Sequence, residues 1–259
     1  MPLISPLFGK ITNISCVLRM GGQPTEIGQF PWIARLSIID RSDGSTYLCA
    51  GSLIGDQHVL TAAHCIERAV YLGEYNRKTF PVDCVKEKCV KNKLMYPDKI
   101  IMHAHYNNRT FDNDIALLRL EKRARLSAYI QPVPLPPFDI DHDQNKGVSV
   151  AVVGWGETPT LDTSNVLLAT EITLVPKRQC LKMDSDVPAK HLCAGDPKGR
   201  DTCPGDSGGP LLMFYKEKYY LSGVVSYGPD VKCGTAKLGF YTNVFKYKNW
   251  IKRNKRIKH

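Results

Sequence analysis

Gly147-Val148-Ser149-Val150-Ala151-Val152-Val153 is a short apolar run bounded by turn residues, and it sets the rhythm of the whole chain. Two further runs repeat it, Trp32-Ile33-Ala34-Arg35-Leu36-Ser37-Ile38-Ile39 and Tyr219-Tyr220-Leu221-Ser222-Gly223-Val224-Val225. Short segments of this kind, alternating or continuously apolar, predict strands, and their density predicts an all-β protein. A proline-rich, partly acidic stretch from Gln131 to Asn145 separates two such series and reads as a crossing between two β units, hence two barrels. The end differs. There Val244, Tyr247, Trp250 and Ile251 recur at helical spacing with lysines between them, which predicts a closing amphipathic helix.

The composition sets bounds. With 259 residues and 43% apolar side chains, the chain is long enough to bury a substantial core as one domain or two joined halves. No apolar run approaches the roughly 20 residues needed to span a bilayer, so no membrane span is expected. The net charge of +10 suggests nucleic acid until it is located. Residues 246–259 carry seven Lys or Arg and no acid, leaving +3 for the rest, so the charge is a C-terminal feature and no nucleic-acid groove is expected.

Nine cysteines favour an oxidising compartment. Cys49 with Cys65, Cys84 with Cys89, Cys180 with Cys193, and Cys203 with Cys233 would close short loops, although spacing alone does not determine pairing. Zinc is the rival reading, but paired Cys-x-x-Cys elements are missing. The expectation is a secreted, extracellular protein. Residues 1–18 do not read as an export signal, because Pro2, Pro6, Gly9 and Lys10 interrupt the apolar stretch.

Acyl transfer to water needs a hydroxyl activated by a base, and donors aimed at the oxyanion. Gly205-Asp206-Ser207-Gly208-Gly209-Pro210 offers both a serine and the backbone freedom to expose it. The amides of Gly205 and Ser207 can then serve one developing negative charge. His64, in Thr61-Ala62-Ala63-His64-Cys65, follows the apolar pair Val59-Leu60 and stands at an element end. The remaining histidines, His58, His103, His105, His142, His191 and His259, lack such a context and read as surface or packing residues. A buried carboxylate should hold the histidine tautomer. Asp114 precedes Ile115-Ala116-Leu117-Leu118 and can be carried inward, whereas Asp112 reads as a loop residue.

Three motifs in the order His, Asp, Ser resemble the chymotrypsin-fold, trypsin-like serine proteases, over roughly Met20 to Ile251. The resemblance implies two packed six-stranded antiparallel β-barrels with the active site between them, and a serine endopeptidase working through an acyl-enzyme. Leu72-Gly73-Glu74-Tyr75 followed by the Cys84 to Cys89 loop is similar to the catalytic domains of arthropod clip-domain proteases. That likeness implies an extracellular proteolytic cascade, with protein protease inhibitors as partners and a monomeric enzyme.

The resemblance also implies a specificity pocket. Asp201, six residues before Ser207, matches the position at its base and would favour Arg or Lys. Thr202 beside it offers a hydroxyl, and Gly228 and Gly239 match the wall positions. Ser226, Tyr227 and Gly228 match the strand that pairs with substrate backbone. Tyr227 and Pro204 depart from the usual pattern, so subsite preferences do not carry over.

Activation in such proteases pairs a new N-terminal ammonium with the acidic residue before the nucleophile, here Asp206. This chain reads Val17-Leu18-Arg19-Met20-Gly21-Gly22, one residue short of the expected spacing after a basic cleavage site. Cys16 likewise lacks its expected partner near the crossing, where Pro134 stands. Residues 1–19 are therefore read as a propeptide-like or misassigned segment and 20–259 as the protease domain. The rivals are a true chain with altered activation, or a non-catalytic homologue that regulates by binding. No cofactor is required. Glu74 resembles the first ligand of a calcium loop, and Asn13-Ile14-Ser15 and Asn108-Arg109-Thr110 are glycan sequons.

Overall fold

A computed structural model describes residues 22–39, 46–66, 69–142, 145, 147–158, 163–196, 202–229 and 238–256. Sixteen strands dominate the described residues. The first ten are β1 (Gln23–Pro24), β2 (Ile33–Ile39), β3 (Thr46–Gly55), β4 (His58–Thr61), β5 (Ala69–Leu72), β6 (Val82–Val85), β7 (Lys88–Lys91), β8 (Lys93–Met95), β9 (Pro97–Met102) and β10 (Ala116–Leu120). The rest are β11 (Ser149–Gly154), β12 (Leu168–Val175), β13 (His191–Gly195), β14 (Pro210–Tyr215), β15 (Lys218–Tyr227) and β16 (Gly239–Asn243).

The first sheet runs β8-β5-β2-β3-β4-β10-β9. Its two outer members are separated by Tyr96 alone, so one bent segment starts the sheet at one edge and ends it at the other. Counted as one strand, that segment makes six strands closed on themselves. The second sheet runs β1-β12-β11-β14-β15-β16-β13, and an added β12–β13 pairing closes six of its strands, with β1 attached outside. The two-barrel expectation is met. Closure removes the open edges that would otherwise offer unpaired backbone groups.

Continuous apolar runs follow from burial on both faces. In β11, Val150 and Val152 enter a cluster inside the second barrel with Ile172, Leu211 and Tyr241. Ala151 and Val153 point the other way, into a larger cluster with Phe30, Leu53, Leu117 and Trp155. A strand's side chains alternate faces, so both sets are needed and no polar alternation survives. The crossing is pinned to both sheets: the Val133 amide donates to the Leu53 carbonyl at 2.8 Å, and the Leu221 amide to the Pro134 carbonyl at 3.0 Å.

The closing helix is shorter than its apolar spacing suggests. Val244–Tyr247 form a tight 3-10 turn, and α2, as the second helix in chain order, spans Lys248–Lys255. The Asn243 side chain accepts from the Phe245 amide at 3.1 Å and starts that turn. Val244, Tyr247 and Ile251 are buried and Lys246 and Lys252 are exposed, while the ammonium groups of Lys248 and Lys255 turn back to donate to the Pro136 and Ile54 carbonyls, each at 2.9 Å. The first helix, α1 (Lys177–Met183), is absent from the sequence reading because Cys180 is its only buried residue and leaves no periodic stripe. No helix among the described residues is long and apolar enough to cross a membrane.

Candidate active site

His64 stands just beyond β4, on a turn held from both sides. The Thr61 hydroxyl donates to the Ala50 carbonyl at 2.8 Å, and the Cys65 amide to the Ala62 carbonyl at 3.2 Å. Cys65 is bonded to Cys49 of the adjacent β3. Asp114 lies just before β10, which pairs with β4, so the two residues meet at one barrel end. Asp114 is fully buried. Its Oδ2 lies 2.8 Å from His64 Nδ1, and its Oδ1 accepts the His64 backbone amide at 3.1 Å. The carboxylate thus orients both the ring and the main chain of the histidine.

The turn before Asp114 holds Phe111 and Asn113 at φ 56°, a region few non-glycine residues occupy. Asn113 is fixed there by its neighbours: its Nδ2 donates to the His105 carbonyl at 3.0 Å, and its Oδ1 accepts from the Tyr247 hydroxyl at 3.0 Å. Surroundings that determine such a backbone are the usual condition for its persistence. The Asp114 carbonyl accepts from the Thr242 hydroxyl at 2.7 Å, and Oδ2 accepts from the Ser226 hydroxyl at 2.5 Å. Both donors come from the second barrel.

Ser207 occupies the junction between barrels. Its carbonyl accepts from the Ala50 amide of β3 at 2.8 Å, while the Gly208 amide donates to the Val225 carbonyl of β15 at 2.9 Å. Gly208 has φ +75°, and a Cβ there would lie 2.2 Å from Thr61 Oγ1 and 2.4 Å from the Ala50 carbonyl oxygen. Only glycine lets the Ser207 segment pass this close to the strand that carries His64. The amides of Gly205 and Ser207 have no protein acceptor among the described residues.

Asp206 is seated in a cradle of two glycines. Its Oδ1 accepts from the Gly156 amide at 2.8 Å and its Oδ2 from the Cys203 amide at 3.1 Å. A Cβ on Gly154 or Gly156 would come within 2.1 or 2.6 Å of that carboxyl group. The N-terminal segment expected to supply an ammonium, with Cys16 and Arg19, lies outside the described residues.

A cleft of about 500 Å³ opens beside this centre, lined by Met183, Asp184, Ser185, Tyr227, Gly228 and Phe240. Nothing lies within 4 Å of where a Gly228 Cβ would be, so that wall is open. Tyr227 is stacked between Phe111 and Phe240, with centroids 5.0 and 4.6 Å away, and Phe111 meets the His64 ring edge-on at 6.0 Å. Thr202 Oγ1 is 3.3 Å from the Tyr241 hydroxyl. Gly239 is buried and opens β16 opposite Ala194. Asp201, the residue expected at the pocket base, lies outside the described residues.

Disulfides join Cys84 to Cys89 and Cys180 to Cys193. Cys203 is disulfide-bonded as well, and its expected partner Cys233 lies outside the described residues. Asn108 is exposed on a loop, as a glycan acceptor requires.

Glu74 does not suit calcium. Both of its oxygens are engaged by Arg35, through Nε and through Nη2 at 3.0 Å, and the guanidinium lies over the Tyr71 ring at 3.7 Å. The nearby buried Asp83 accepts from the Tyr75 and Asn76 amides and the Thr79 hydroxyl. An arginine therefore supplies at Glu74 the positive charge that a metal would bring.

Two residues carry more than the sequence suggested. Ser226, named for its strand, also donates to Asp114. His191, read as a surface or packing residue, is fully buried with Nε2 3.2 Å from Ser226 Oγ. No local motif marks His191, because its setting comes from three strands meeting.

A family model for trypsin matches residues 19–251. The chain belongs to the trypsin family. Within that family it is 40% identical to "Melanization protease 1" of Drosophila melanogaster, over 92% of this chain and 65% of that protein. It is 36% identical to "CLIP domain-containing serine protease B4" of Anopheles gambiae and 36% to "Phenoloxidase-activating factor 1" of Holotrichia diomphalia, each over 91% of this chain and 69% of the relative. The trypsin-family domain thus spans about two thirds of the length of these relatives. The likeness to arthropod clip-domain proteases expected from Leu72 to Cys89 is borne out.

Proposed function

We propose that this chain is the catalytic domain of a serine endopeptidase, with Ser207 as nucleophile, His64 as general base and Asp114 as the carboxylate that fixes the histidine. The observation that carries this reading is the buried Asp114 holding His64 Nδ1 at 2.8 Å while Gly208 lets the serine segment pass against Thr61. With Nδ1–H given to the carboxylate, Nε2 is left to take the serine proton and return it to the leaving amine. The unengaged amides of Gly205 and Ser207 support their assignment as oxyanion donors.

Substrates on this reading are proteins cut after Arg or Lys, with Asp201 and Thr202 at the pocket base, Gly228 and Gly239 as open walls, and residues 226–228 pairing with substrate backbone. The cleft beside Tyr227 and Asp184 supports access for a long basic side chain. Residues 20–259 form the protease domain, a monomer that acts outside the cell in a cascade and is controlled by protein inhibitors. Asp206 receives the activating ammonium. The clip-domain names among its relatives support this placement.

The test is to express the domain with a restored apolar N-terminus and assay Arg, Lys and Phe ester or amide substrates, with Ser207→Ala as control. Hydrolysis of the Arg and Lys substrates, abolished in the control, is expected. A folded sample inert toward every substrate points instead to a regulatory homologue. Asp201→Ser should remove the preference for basic residues and leave ester hydrolysis intact; an unchanged preference refutes the pocket assignment.

A further inference from the structure

Behind Asp114 lies a second imidazole. His191 opens β13, opposite Thr242 of β16, whose hydroxyl ties down the Asp114 carbonyl. Its Nε2 is 3.2 Å from Ser226 Oγ, which lies 2.5 Å from Asp114 Oδ2. The directions of these bonds follow from proton counting. A carboxylate only accepts, so Ser226 must spend its single proton on Asp114, and its oxygen must then accept from His191 Nε2–H. His191 is thereby fixed as the Nε2–H tautomer, and its bare Nδ1 has no hydrogen-bond partner among the described residues.

Four groups thus line up in one sense, His191 to Ser226 to Asp114, with His64 donating from the other side. We propose that His191 is a positioning residue for the candidate catalytic carboxylate, acting through Ser226; this rests on the triad reading above. A serine hydroxyl alone is a free rotor. The imidazole N–H occupies a lone pair of Ser226 and leaves the hydroxyl proton aimed at Asp114, and hydrogen bonds in such a chain polarise one another.

The ring stays neutral in its role. Burial opposes its charged form most strongly, and Lys177, whose ammonium donates to the His191 carbonyl at 3.1 Å, adds to this, while Asp114 and Asp112 oppose the shift; the net result is a value lowered to about 4. Tyr227 closes the remaining side, with its ring 5.7 Å away. His191 is fully buried and does not line the cleft, so its loss should affect turnover and leave substrate binding alone.

The experiment compares His191→Leu, which has no donor, with His191→Gln, whose amide can donate to Ser226. His191→Leu should lower kcat about three- to tenfold, the scale of one neutral hydrogen bond, with KM unchanged. A loosened Ser226 leaves more negative charge on Asp114, so His64 holds its proton more tightly and the acid limb of the pH profile moves to higher pH. His191→Gln should restore both readouts most of the way.

A second measurement needs no turnover: in the Ser207→Ala protein, the low-field proton resonance of His64 Nδ1–H and the His64 titration midpoint are followed by NMR. His191→Leu should shift both, and His191→Gln should return them. If the parent enzyme hydrolyses nothing, the triad reading fails while the NMR comparison still decides the coupling. A folded His191→Leu protein with unchanged resonance, midpoint, kcat and pH profile would overturn the proposal. So would a His191→Gln protein as impaired as the leucine variant.

Discussion

The two barrels contribute unequally to the cleft between them. The first brings His64 and Asp114 together within a single β4–β10 pairing, braced by the Cys49–Cys65 bond. The second supplies Ser207 from a glycine-rich turn, then reaches across with Ser226 and Thr242 to hold Asp114. One side therefore sets the proposed acid–base pair locally, and the other sets the proposed nucleophile and the carboxylate's surroundings across the interface. The proposed catalytic geometry depends on the packing of two units more than on either alone, whereas the proposed recognition residues 226–228 and 239 lie at the end of β15 and the start of β16, within the second barrel.

The largest effect should come from Ser207→Ala, which leaves both barrels intact. Hydrolysis of a basic ester should fall by at least about 10³-fold, while the urea midpoint stays unchanged. Gly208→Ala attacks the interface itself. Its Cβ has no room between Thr61 and the Ala50 carbonyl, and the backbone is at positive φ, so a loss of about 3 kcal/mol in urea unfolding is expected, with activity lost as well.

Replacing Cys84 and Cys89 together by serine probes the separate β6–β7 hairpin that the chain inserts between β5 and β8 of the first barrel. The bond spans a short, exposed hairpin loop, and its removal should cost about 2 kcal/mol in the same assay with kcat unchanged. Acidification acts on both barrels through their buried histidines. His58 in the first and His191 in the second are both lowered from about 6.5 to about 4, chiefly by burial. The unfolded chain therefore binds protons first, so the stability these groups contribute is fully present above about pH 6.5 and lost as pH falls toward 4. The slope should reach at most about 1.4 kcal/mol per pH unit for each histidine. His191→Gln should remove one share of that slope in pH-dependent thermal melts. Thr242→Val should have the smallest effect, about 1 kcal/mol, with a modest fall in kcat as the Asp114 main chain loosens. An unaltered kcat would show that the cross-barrel bond to the carbonyl is dispensable.

The runs around Val150, Leu36 and Leu221 were enough to predict the β architecture, because strand periodicity and burial act over a few residues. Ser207, His64 and Asp114 were likewise legible, since each sits in a short segment whose glycines, cysteine or apolar flank has a local reason. Residues 205–210 in particular carry their own backbone requirement, visible in Gly208. Other features depend on contacts between segments far apart in sequence. Closure of the first barrel through the bent segment 93–102, the neutralisation of Glu74 by Arg35, and the burial of His191 against Ser226 are of this kind. An isolated histidine or glutamate looks the same in sequence whether it faces water, a metal or a second side chain. Local chemistry thus determined which groups are present, and only the folded barrels decided which of them meet, because desolvation and hydrogen-bond partners are properties of packing.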